Sequence, residues 1–194
     1  MRISTFREIR FHGRGGQGTV SAAALLALAA FEDHFESQAF PKFGSERRGA
    51  PVEAYVRISN TTIRAHNQVY TPDVVVIQDA GLLRSEPLLR GLRQGGLIVV
   101  NSEQEVDDVG NKNDHFRQVY LPASSIGERH LGRPLPNTVL LGALAAGTGW
   151  VSLIALEQAV TKHLSSKGEK MVTANIAALR EGYGFVSSEK EPVS

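Results

Sequence analysis

Cysteine is absent from this chain. Its absence excludes disulfides, thiolate nucleophiles, Cys-ligated zinc and thiolate-held iron–sulfur clusters, so any redox centre the chain serves must be held by a partner. An excess of charge is missing too. The 21 Lys and Arg stand against 20 Asp and Glu, a formal net charge of +1, and so weak a field favours neither nucleic acid nor an anionic membrane. Long apolar runs are also lacking. Residues 1–8 do not form the apolar core of a signal peptide, and no stretch approaches the roughly 18 to 20 residues needed to cross a bilayer. A cytoplasmic protein without membrane insertion is the expectation. His12, His34, His66, His115, His130 and His163 show no H-x-x-x-H or similar ligand pairing, so no metal site is assigned. Asp79 closes an apolar run with no evident base or nucleophile beside it, and no catalytic residue is assigned either.

What is present suits one α/β domain over 1–186, with 187–194 as a flexible tail: the chain has 194 residues and is 42% hydrophobic, enough for a sizeable core. The opening reads as strand (9–12), glycine turn (13–18) and buried helix (19–31), the last built almost wholly of Ala, Leu and Val. A second strand is expected at 35–40, ended by Pro41. Residues 52–58 alternate strongly and Ser59-Asn60 can turn them back into 62–65, an inserted β-hairpin. The run Val74-Val75-Val76-Ile77 reads as a central parallel strand. A helix over 85–94, strands at 97–100 and 116–121, and helices over 124–130, 138–148, 152–164 and 169–183 complete the pattern. Strands alternating with helices predict an α/β fold: a three-layer, doubly wound, Rossmann-like mixed sheet with a helical C-terminal part.

Gly13, Gly15 and Gly18 fit G-x-G-x-x-G between a strand and a helix, the setting in which main-chain N–H groups approach a phosphate at the positive end of a helix. Phosphate binding, dinucleotide binding and a merely tight turn all remain open on spacing. The dinucleotide reading also wants an acid at the end of the second strand, where this chain has Phe40-Pro41-Lys42. A second segment, 43–51, carries Arg47 and Arg48 between glycines; adjacent guanidiniums can clamp a carboxylate or phosphate, pair with Glu46 or sit in solvent. If the strands ending at His12, Phe40, Asp79 and Asn101 are parallel, both loops share one sheet edge, where ligands of open α/β sheets gather. Asn137 before a helix reads as an N-cap, with ligand contact the minority role. The small residues of 142–149 suit close helix packing.

Gly13-Arg14-Gly15-Gly16-Gln17-Gly18, then Phe43-Gly44-Ser45-Glu46-Arg47-Arg48-Gly49 running into Val52-Glu53-Ala54-Tyr55-Val56-Arg57-Ile58, resembles the gamma subunit of the pyruvate/2-oxoacid:ferredoxin oxidoreductase family. Leu121-Pro122-Ala123, Pro136-Asn137-Thr138-Val139 and residues 175–183 continue the likeness, which covers about 9–185. The second loop departs from the family's usual wording at Phe43, Ser45, Arg47 and Ala50. The resemblance implies a complex with alpha, beta and delta-type subunits that oxidatively decarboxylates a 2-oxoacid to an acyl-CoA. In it, partners hold thiamine diphosphate, Mg and [4Fe-4S] clusters, and electrons leave to ferredoxin or another acceptor. For this chain it implies assembly and contact with coenzyme A, through Gly13, Arg14, Gly15, Gly16, Gln17 and Gly18 and through Arg47 and Arg48. A stand-alone NAD- or FAD-dependent oxidoreductase and a purely structural adaptor are the alternatives.

Overall fold

The computed structural model describes residues 6–42, 49–65, 67–84, 87–106 and 115–188. In chain order the elements are β1 (Phe6–Arg14), α1 (Thr19–Glu32), β2 (Glu36–Pro41), β3 (Pro51–Ser59), β4 (Val74–Ile77), β5 (Leu97–Asn101), β6 (Arg117–Leu121), α2 (Ala123–Leu131), α3 (Asn137–Thr148), α4 (Leu153–Leu164) and α5 (Glu169–Ser188). Helix α5 runs on to Ser188, so residues 187 and 188 of the expected tail are helical, and 189–194 lie outside the described residues.

The sheet is mixed, in the order β2-β3-β1-β4-β5-β6. Parallel pairs join β1, β4, β5 and β6, while β3 runs antiparallel to both β1 and β2. The inserted antiparallel pair is therefore β2 with β3, not β3 with 62–65. With β1 on one side of β3 and β2 on the other, no edge of β3 is left for 62–65 to join. Because β3 alone is reversed, the carboxyl ends of β1, β2, β4 and β5 lie on one edge, as the shared-edge argument requires.

Side-chain alternation divides the two faces of the sheet. On one face Ile9, Phe11, Ala54, Val56, Ile58, Val74, Val76, Leu97 and Val99 join buried residues of all five helices in a single apolar cluster. On the other, Val75, Ile77, Ile98 and Val100 meet Leu82, Leu88 and Leu92 in a smaller one. This third layer is thin: a 3-10 turn, Ala80–Arg84, and turns over 87–94 stand in place of the helix expected over 85–94, residues 85 and 86 lying outside the described residues. Two side-chain hydrogen bonds explain why. Arg10 Nη2 takes the carbonyls of Leu88 and Arg90, at 2.7 and 2.8 Å, acceptors that a helix would have spent on its own amides. Gly91 then turns with φ +77°, at a position where a Cβ would strike the Tyr70 carbonyl.

The same face is charged over β1 and β3. Glu8, Arg10 and His12 lie opposite Arg57, Tyr55 and Glu53. Arg57, 1% exposed, donates from Nε to Glu8 Oε1 at 2.9 Å, so its charge is met within the sheet. Burial pushes the His12 imidazole down to about 4, with Glu53 opposing the shift and Arg10 and Lys42 adding to it.

Helices α3 and α5 pack backbone to backbone. A Cβ on Gly142 would collide with the Leu179 carbonyl, and one on Gly182 with the Val139 carbonyl. Close packing is thus the role of Gly142, as its sequence context suggested.

Two predictions come from this packing. Gly142→Ala should lower the unfolding free energy by about 1 to 3 kcal/mol, the scale of overpacking, measured by urea denaturation; an unchanged midpoint would refute the close crossing. For His12, the folded value near 4 lies below the unfolded one of about 6.5. The unfolded chain therefore binds the proton first as pH falls, and stability drops from about pH 6.5 down to about 4. The loss is of order 3 kcal/mol. Denaturation of wild type and His12→Gln across that window should show the wild type losing this amount more than the variant; parallel losses would contradict the assignment.

Candidate functional site

The strand leaves the sheet at Gly13 because the space beside it is taken. Thr19 Oγ1 donates to Gln78 Oε1 at 2.6 Å, and a Cβ on residue 13 would sit 2.5 Å from that same Gln78 oxygen. The turn that follows is closed by its own side chain, since Gln17 Oε1 accepts from the Arg14 amide at 2.7 Å while the Gln17 amide donates to the Arg14 carbonyl at 3.0 Å. Gly16 and Gly18 adopt φ of +99° and +75°, the left-handed region where glycine carries no Cβ penalty. Gly15 is pinned to the start of β3: its amide donates to the Ala50 carbonyl at 2.9 Å, and its carbonyl accepts from Gly49 at 3.2 Å.

Arg14 is held in place by Asp79, with Nε to Oδ2 at 2.7 Å, and Asp79 Oδ1 also accepts from the Gly81 amide at 2.9 Å. Asp79 is thus a positioning acid for the loop. Asn101, the other polar residue expected at this edge, braces β5 against the start of α2: it donates to the Gln78 carbonyl at 2.9 Å and to Ser124 Oγ at 2.8 Å, and accepts from the Ser124 amide.

What remains open is the first turn of α1. The amides of Gly16, Gly18, Thr19, Val20 and Ser21 have no backbone acceptor among the described residues, the arrangement that makes a helix N-terminus attract anions. No acidic residue lies in that turn. Gly16, Gly18 and Ser21 open into a cavity of about 210 Å³ whose rim carries Arg133, His163 and Lys167. Arg133 and Lys167 were not singled out in the sequence, and His163 was read there only as a histidine without a ligand partner. They arrive from the loop before α3, from α4 and from the turn after it, and only folding brings them to the loop.

Asn137 is the first residue of α3, which starts after Pro136, and its side chain caps nothing. Instead its amide lies over Gly18, where a Cβ would come within 2.6 Å of Nδ2, and Oδ1 is buried without a hydrogen-bond partner among the described residues. The N-cap expectation is corrected in favour of a place beside the glycine loop. Arg47 and Arg48, with the rest of 43–48, lie outside the described residues. Gly13, Arg14, Gly15, Gly16, Gln17 and Gly18 are brought together as one turn at the point where strand order reverses between β1 and β4, the crevice in which open α/β sheets bind ligands.

The signature of the family described as pyruvate ferredoxin/flavodoxin oxidoreductase matches residues 8–185. The chain is 45% identical over 179 residues to the pyruvate/ketoisovalerate oxidoreductases common subunit gamma of Pyrococcus furiosus, an alignment covering 91% of this chain and 95% of the relative. It is 47% identical over 154 residues to the pyruvate synthase subunit PorC of Methanosarcina barkeri, covering 79% and 84%. Among solved structures, the pyruvate oxidoreductase subunit PORC of Thermotoga maritima superposes with a TM-score of 0.81 at 38% identity, over 93% of this chain and 97% of that one. With signature, sequence and architecture in agreement over nearly its whole length, this chain belongs to the pyruvate ferredoxin/flavodoxin oxidoreductase family.

Proposed function

We propose that this chain is the gamma subunit of a multi-subunit 2-oxoacid oxidoreductase and that its glycine loop holds an anionic group of coenzyme A at an active site built by its partners. The observation that carries the reading is the set of amides at Gly16, Gly18, Thr19, Val20 and Ser21 that have no backbone acceptor among the described residues, beside a cavity lined by Gly16, Gly18 and Ser21 together with Arg133, His163 and Lys167, on a chain whose relatives are named as subunits of such oxidoreductases.

The residues fit the group. Main-chain amides and guanidinium or ammonium groups suit phosphate, and the orphaned Asn137 Oδ1 is an acceptor for a hydroxyl or amide N–H, both of which coenzyme A carries. When bound, coenzyme A supplies the thiol that takes the acyl group. The task of this chain is then to bind and orient: the Gly13 turn fixes the amides, Asp79 holds Arg14 by its Nε, and Arg47 and Arg48 are assigned to the same anion on the family resemblance. Thiamine diphosphate, Mg and [4Fe-4S] clusters belong in this reading to alpha, beta and delta-type partners, since the chain has no thiolate to hold a cluster. The solvent side of α1 suits a subunit as well, for Val20, Leu28 and Phe31 are exposed there, as is Ile154 on α4.

In the assembled enzyme, Arg47→Ala with Arg48→Ala should raise the apparent KM for coenzyme A about tenfold, the equivalent of one charge-assisted hydrogen bond, and leave that for the oxoacid nearly unchanged. An unaltered coenzyme A dependence in an intact complex would defeat the proposal. Loss of assembly instead would favour the adaptor reading. A dinucleotide needs an acid at the end of β2, where Pro41 is followed by Lys42 paired with Glu53 at 2.9 Å. Titration of the purified chain with NADH should accordingly give no saturable change in nicotinamide fluorescence; saturation would revive the dinucleotide reading.

A further inference from the structure

The charged half of the sheet's second face leaves room that its own side chains do not fill. Over β4 and β5 that face is closed by Val75, Ile77, Leu82, Leu88, Leu92, Ile98 and Val100. Over β1 and β3 it opens into a cavity of about 660 Å³, floored by Arg10, His12, Glu53 and Tyr55 and walled by segments 68–70 and 87–91. The volume falls in the range of small-molecule sites. It lies across the sheet from α1, so it is not an extension of the cavity at the glycine loop.

Its electrostatics are unbalanced. Among the described residues the lining has Arg10, Lys42 and Arg90 against a single carboxylate, Glu53. Arg10 is 7% exposed, yet the nearest Glu53 oxygen stands 3.8 Å from its Nε, beyond hydrogen-bond reach. The other oxygen of Glu53 is engaged by Lys42 Nζ at 2.9 Å. Arg10 donates instead to neutral groups: Nε to His12 Nε2 at 3.0 Å and Nη2 to the Leu88 and Arg90 carbonyls. Accepting at Nε2 places the His12 proton on Nδ1 and makes that atom a donor. Among the described residues Glu53 is thus only a loose ion-pair partner for Arg10, and a buried guanidinium so weakly paired is costly unless a counter-ion arrives. Holding β1 to the 87–91 turn accounts for one Arg10 nitrogen. It does not account for the open volume or for three cationic residues against one acid in the described lining.

We propose that the cavity over Arg10, His12, Glu53 and Tyr55 is a second ligand site, which takes a small molecule through one oxyanion, a carboxylate or a phosphate. Arg10 and Lys42 supply the charge, and Tyr70, 65% exposed at the rim, offers a flat apolar surface to the rest of the molecule. Glu53 opposes the anion and sets a ceiling on its affinity.

The test is NMR of the full-length, 15N-labelled chain, titrated with inorganic phosphate and separately with acetate, against sodium chloride at matched ionic strength. Amides of Tyr70 and Gly91 report this cavity, and those of Gly16 and Gly18 report the glycine loop. The proposal expects saturable shifts at Tyr70 and Gly91 with phosphate or acetate and none with chloride; the probe that saturates at the lower concentration names the oxyanion. Glu53→Gln should tighten that binding about tenfold, a gain that a merely structural role for the cluster does not produce. Arg10→Gln should abolish it. If Arg10→Gln does not fold, Glu53→Gln decides alone. Shifts confined to Gly16 and Gly18, or no shift with either probe in wild type and Glu53→Gln, would overturn the proposal.

Discussion

At the carboxyl end of β1 the Thr19 hydroxyl meets the Gln78 amide oxygen at 2.6 Å, in a space that exists because residue 13 has no Cβ. That hydrogen bond joins the first residue of α1 to the residue that follows β4, so it fixes the helix start against the sheet at the point where strand order reverses. The Gln78 amide also donates to the His12 carbonyl at 2.8 Å, which extends the β1–β4 ladder by one step. With those atoms fixed, the chain has only a short turn in which to leave the strand and enter the helix. Gly16 and Gly18 make that turn in the left-handed region, and the amides of the first helical turn are left without a backbone acceptor among the described residues. The shape of the proposed anion site thus follows from a packing constraint at Gly13, at the start of the same turn.

The two faces of the sheet divide the labour. Ile9 and Phe11 of β1, with Ala54, Val56 and Ile58 of β3, fuse with all five helices into one apolar core; the even-numbered residues of β1 carry Glu8, Arg10 and His12. Charge on the second face is tolerable where it is paired inside the sheet, as Arg57 and Glu8 are, and where backbone carbonyls of a turn accept from it, as Leu88 and Arg90 do from Arg10. Those carbonyls cannot also serve a helix. The charge pattern of β1 therefore dictates the irregular cover of the sheet some 80 residues later in the chain.

Much of this was legible beforehand. Glycine and proline marked most element ends, the continuous run 74–77 announced a buried parallel strand, and the spacing of Gly13, Gly15 and Gly18 located the loop. Two elements were misread because their signals were local while the deciding contacts were distant. Residues 85–94 have a helix-like composition, but Arg10 claims two of their carbonyls. Residues 62–65 look like the return strand of a hairpin, yet both sides of β3 are already paired with β1 and β2. The site was incomplete for the same reason. Arg133, His163 and Lys167 have no motif in common and meet the glycine loop only through the packing of α3, α4 and α5, while Asn137 carried a visible signal that read as a cap.

In the proposed function, the amides of the first α1 turn are the docking point for a coenzyme A anion. Hydrogen–deuterium exchange on the assembled complex, with and without coenzyme A, addresses it directly at the level of single amides. Gly16, Gly18, Thr19, Val20 and Ser21 should exchange more slowly when coenzyme A is present, while amides of the buried strand β4 do not change. Equal exchange at those five positions in both states would contradict it.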